Sequence, residues 1–63
     1  MTVEELEIAI YESGFSKKKI AEEIGIQRNT LSRWFRKEIT PVREQLILRA
    51  IERLKEKREQ ANE

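Results

Sequence analysis

Residues Ile20 to Phe35 read IAEEIGIQRNTLSRWF, and the glycine in the middle, Gly25, constrains the fold more than any other residue. Ile20, Ala21 and Ile24 keep helical spacing up to it, and Leu31 and Trp34 resume that spacing a few residues later. One helix therefore ends and another begins within about three residues, at a position where glycine can take the positive φ a tight turn demands. A small side chain at Ala21 lets the two helices meet closely.

The rest of the chain is punctuated in the same way. Thr2 followed by Glu5 has the spacing of a capping box, so the first helix is expected to start near Val3, bury Val3, Leu6 and Ile10, and stop at Ser13-Gly14. Ser16 is placed to cap a second helix from Lys17 to Ile24, with Ile20, Ala21 and Ile24 inward and Lys18, Glu22 and Glu23 toward water. The third helix runs from Arg28 to about Lys37 with Gln27 at its cap. Proline then breaks the pattern, and Thr40-Pro41 opens a fourth helix to about Glu59 with Leu46, Ile47, Ala50, Ile51 and Leu54 on one face. The closing stretch KEKREQANE has no apolar anchor beyond Ala61, so residues 60–63 are expected to fray. No alternating strand pattern and no internal repeat is present, which gives an all-α chain: four helices at about 3–13, 17–24, 28–37 and 41–59 in one domain over residues 1–63.

A chain of 63 residues has room for one small core. It has no cysteine for a disulfide or thiolate site, and no run of apolar residues that could span a bilayer, so a cytoplasmic location is expected. It also lacks histidine and aspartate; all twelve acids are glutamates. Without imidazole or thiol, base-activated nucleophiles and ordinary metal sites lose their usual groups, and Ser13, Ser16 and Ser32 read as caps or surface hydroxyls. The expectation is a non-enzyme with no metal and no cofactor.

The net charge of +1 conceals a strong division along the chain. Residues 1–16 carry Glu4, Glu5, Glu7 and Glu12 with no base. Residues 17–43 carry Lys17, Lys18, Lys19, Arg28, Arg33, Arg36, Lys37 and Arg43 against three acids, and residues 44–63 balance. A polyanion is drawn to the middle segment alone. On a wheel of about 100° per residue starting at Arg28, Leu31 and Trp34 fall near 300° and 240°, pointing inward. Arg28, Asn29, Ser32, Arg33 and Arg36 fall between about 0° and 140° on the opposite side. That edge has three arginines, an asparagine and no acid, whereas a merely solvated helix face mixes Lys and Glu at i, i+4. Arginine can pair bidentately with guanine and asparagine with adenine in the major groove. Three lysines at the start of helix 2 also oppose its dipole, which favours an anion nearby. Phe35, near 340° on the same wheel, lies at the boundary and is a candidate for packing under helix 4 or for a dimer surface. Tyr11 is equally undecided.

The segment SKKKIAEEIGIQRNTLSRWFR, with Ala21 at the helix crossing, Gly25 in the turn, apolar Ile20, Ile24 and Ile26, and Leu31 and Trp34 anchoring the second helix, resembles the helix-turn-helix of the lambda-repressor-like, Cro or XRE family. The likeness is strongest over residues 14–37 and extends more loosely over 3–54. Two departures stand out. Members often have glutamine where this chain has Lys17, and many pair an arginine in helix 1 with an acid in helix 2 where this chain has Ile10 and Lys19.

The resemblance implies a small four-helix helix-turn-helix domain that binds double-stranded DNA. It places Gln27, Arg28, Asn29 and Arg33 at base edges, and Lys17, Thr30, Ser32, Arg36, Lys37 and Arg43 at the DNA backbone. One recognition helix reads only a few base pairs, so the expected form is a homodimer on two half-sites of a palindromic operator, acting as a repressor in a bacterial or phage-infected cell. No small-molecule ligand and no membrane partner is expected. The alternatives are a helical interaction module or antitoxin-like adaptor binding an acidic partner, and RNA binding; the latter is disfavoured because an A-form major groove is too deep and narrow for this helix edge.

Overall fold

The computed structural model describes residues 2–37 and 39–61 and contains four helices: α1 (Val3–Ser13), α2 (Lys17–Ile24), α3 (Arg28–Arg36) and α4 (Pro41–Ala61). Each of the first two helix starts has a side-chain cap. In α1 the Glu5 amide donates to Thr2 Oγ1 at 3.1 Å and the Thr2 amide to Glu5 Oε1 at 3.3 Å, completing the capping box. Ser16 Oγ accepts from the Lys19 amide at 3.2 Å, and at the head of α4 Thr40 Oγ1 accepts from the Arg43 amide at 3.3 Å. Gln27 stands at the N-cap of α3 but its side chain makes no cap hydrogen bond. Gly14 (φ 81°) and Gly25 (φ 94°) close α1 and α2 in the left-handed region, where a Cβ would be strained.

α4 packs along α2 and α1, and α3 packs on α2. The core joins Leu6 and Ile10 of α1, Ile20 and Ala21 of α2, Leu31 of α3, and Ile47, Ala50, Ile51 and Leu54 of α4. Ser13 is the buried polar side chain among the described residues, and it is satisfied: its hydroxyl donates to the Ile10 carbonyl and accepts from the Phe15 amide at 3.2 Å. Among those residues no helix is long and apolar enough to cross a membrane.

Several sequence expectations change here. Leu46 is 39% exposed rather than inward, because the buried stripe of α4 follows 47, 50, 51 and 54 and Leu46 sits one step to its flank. Ile24 and Trp34 are half-buried while packed against the core as expected, Val3 is half-buried rather than buried, and Tyr11 is outside the core at 85% exposure.

Glu23 does not simply face water. It accepts from Lys57 at 2.8 Å and from Arg53 at 3.1 Å, with its side chain 13% exposed. Arg58, the next residue after Lys57, donates to the Ser13 carbonyl at 3.3 Å and lies 4.8 Å from the Phe15 ring centroid. These cationic contacts tie the last part of α4 to α1 and α2, and the helix runs through Gln60 and Ala61, past its expected end near Glu59. The anchor is polar, so apolar spacing could not reveal it. Asn62 and Glu63, the rest of that expected frayed tail, lie outside the described residues, and α3 ends at Arg36, with Lys37 as its extended cap.

Candidate nucleic-acid interface

The turn that aims α3 is built on a single carbonyl. Ala21 O accepts from the Gly25 amide at 2.9 Å and from the Ile26 amide at 3.0 Å, so the chain reverses within one turn of the end of α2. Ala21 is 1% exposed and Leu31 is fully buried, which fixes α3 on α2 by its inner side. Its outer side is thereby presented to solvent.

On that outer side Gln27, Arg28, Asn29, Arg33 and Arg36 are exposed, while Thr30 and Ser32 are half-buried at the margins. Among the described residues none of the three arginines meets a carboxylate. The Gln27 amide, unused in capping, is likewise available at the end of the helix nearest the turn.

Arg33 stands at the border between two groups. It is exposed, but it also lines a hollow of about 220 Å³ with Thr30, Trp34, Lys37 and Arg43. Arg43 reaches back from α4 to lay its guanidinium 5.1 Å from the Trp34 ring centroid, a cation–π contact that covers the half-buried indole. Three cations therefore converge on one side of the α3–α4 junction, a position suited to an anionic group.

Lys17, at the first position of α2, is already engaged. Its Nζ lies 3.1 Å from Glu7 Oε1 of α1 and 4.6 Å from the centroid of Phe35 in α3. Phe35 is half-buried, packed against the core and covered by this ammonium, which bears on its packing and not on whether a second copy meets it. Ile10 is buried, as its place in the helix 1 stripe requires, and an α1–α2 ion pair exists after all, through Glu7 and Lys17 with the acid on α1. The roles of Glu7 and Glu23 had no sequence signal, since each partner is ten or more residues away across a turn.

A family model described as helix-turn-helix matches residues 7–54, which takes in α2, the Gly25 turn and α3 whole. The chain belongs to the lambda-repressor-like (XRE) helix-turn-helix family. Comparison with curated proteins and with solved structures gave no match. As a member of this family the chain is a DNA-binding transcription regulator, and double-stranded DNA is the family's ligand. In helix-turn-helix terms, α2 is the positioning helix and α3 the recognition helix.

Proposed function

We propose that this helix-turn-helix protein is a repressor that occupies a palindromic operator as a homodimer, with α3 in the major groove of each half-site. The observation that carries this reading is the outer edge of α3: exposed Arg28, Asn29 and Arg33 with no carboxylate partner among the described residues, held outward by the buried Leu31. Gln27, Arg28, Asn29 and Arg33 read base edges. Thr30, Ser32, Arg36, Lys37 and Arg43 meet the backbone beside them, and Lys17 meets it from the start of α2; these contacts add affinity and salt dependence but no sequence preference.

A second copy would meet this one along α4. Val42 is 70% exposed and Leu46 39%, and with Pro41, Gln45 and Arg49 they line a shallow groove of about 340 Å³ beginning at the α3–α4 junction. An apolar contact there stands next to the recognition helix, where a two-fold can pair two α3 helices on one DNA face, about 34 Å apart. Selecting bound sequences from a random duplex pool tests the whole reading. A palindromic consensus supports it; an asymmetric consensus removes the homodimer, and no salt-sensitive duplex binding removes DNA as the ligand.

A further inference from the structure

The first turn of α2 carries Lys17, Lys18 and Lys19 and no acid, which is the wrong sign for a helix N-terminus. In the folded chain α1 corrects it from outside. Glu7 holds Lys17 at 3.1 Å, and the Phe35 ring lies 4.6 Å from the same ammonium, so this cation is fixed where α1, α2 and α3 meet. Among the described residues Glu7 is the one carboxylate on Lys17, so an outside anion reaching this ammonium meets a cation that already has a partner.

We infer that Glu7 is an internal competitor of DNA phosphate for Lys17, and that it sets how tightly the chain holds any duplex. The inference rests on the duplex-binding reading given above. A phosphate reaching Lys17 has to displace the Glu7 carboxylate or sit against it, and either event subtracts from the gain of neutralising that phosphate. The pair is exchangeable because it is open to water: the Lys17 side chain is 37% exposed and that of Glu7 46%, and a pair so placed is weak. Phe35 keeps the ammonium at the same place once the carboxylate has left, so the cation released by Glu7 is still positioned for phosphate. Because the phosphate backbone is the same in every sequence, the effect falls equally on operator and non-operator DNA.

The experiment measures anisotropy of a labelled random-sequence duplex with the full chain at two salt concentrations. Glu7→Gln is expected to tighten binding by about three- to tenfold at the lower salt and to steepen the log Kd against log salt plot by up to about one. Glu7→Asp keeps the net charge but withdraws the carboxylate, and is expected to give an intermediate gain. Glu12→Gln, the same charge change elsewhere on α1, should gain less than about twofold, a long-range effect that salt screens. In a Lys17→Ala background Glu7→Gln should gain no more than that control. If Glu7→Gln binds like the parent, if Glu12→Gln matches it, or if the gain survives Lys17→Ala, Glu7 is not competing for Lys17 and the inference falls while duplex binding stands. If the parent chain shows no salt-sensitive duplex binding at all, the DNA reading falls and takes this inference with it.

Discussion

Two groups of cations in this chain are handled in opposite ways. Near the end of α4, Arg53 and Lys57 close on Glu23, while Arg58 closes on the Ser13 carbonyl and the Phe15 ring. On α3, Arg28, Arg33 and Arg36 stand exposed without a carboxylate among the described residues. The groups are alike in composition and differ in what the fold gives them. Glu23 counts against the surplus of the middle segment in sequence, yet in the structure it serves α4, so α3 keeps its positive charge unopposed. Cations with internal partners hold helices together; those without them are open to an external anion, as the proposed function requires.

The harshest test removes the base on which both groups stand. Leu31→Ala leaves a cavity at a fully buried position and should cost about 2–5 kcal/mol in chemical denaturation, most of the stability a chain of this size has. The comparison itself is tested by exchanging readouts. On the proposed reading, Arg28→Ala or Arg33→Ala should weaken binding to a selected duplex by about 1–3 kcal/mol with stability within about 0.5 kcal/mol of the parent. Arg53→Ala should lower the melting temperature while changing duplex affinity far less; a loss of binding equal to that of Arg33→Ala would erase the distinction.

Gly25→Ala sharpens the role of the turn. A Cβ there meets nothing within 4 Å, so the expected loss of about 1–2 kcal/mol comes from the left-handed backbone alone. The smallest effect concerns acid. Hydrogen bonding to Lys57 is the main cause that lowers the Glu23 carboxyl below its ordinary value of 4.5, with Arg53 adding to it. The contribution of this link is therefore complete above the unfolded value and is lost as pH falls through the lower folded one. Glu23→Gln should flatten that part of the acid limb in a series of thermal melts, leaving neutral-pH duplex binding unchanged.

The helix order was legible because its signals are local: Thr2 with Glu5, Ser16, the two glycines and Thr40-Pro41 each act within a few residues. The exposed edge of α3 was legible for the same reason, being a matter of angle about one axis. Contacts between distant segments were not. Nothing in the spacing of Glu7 and Lys17, or of Glu23 and Lys57, shows that they meet, and an apolar stripe says nothing of a helix end held by arginine and lysine. Leu46 was misplaced by one helical step, which is enough to move a side chain from core to surface.

The length of α4 has a consequence for when the chain becomes competent. α1, α2 and α3 have 11, 8 and 9 residues, each below the length at which a helix persists alone, whereas α4 has 21. Its end ties back to Ser13 and Glu23, 45 and 34 residues earlier. During synthesis the recognition helix thus emerges well before the strut that fixes its platform. A message cut short after residue 50 would yield a product without the α4 contacts to Ser13 and Glu23 that brace the helices around α3.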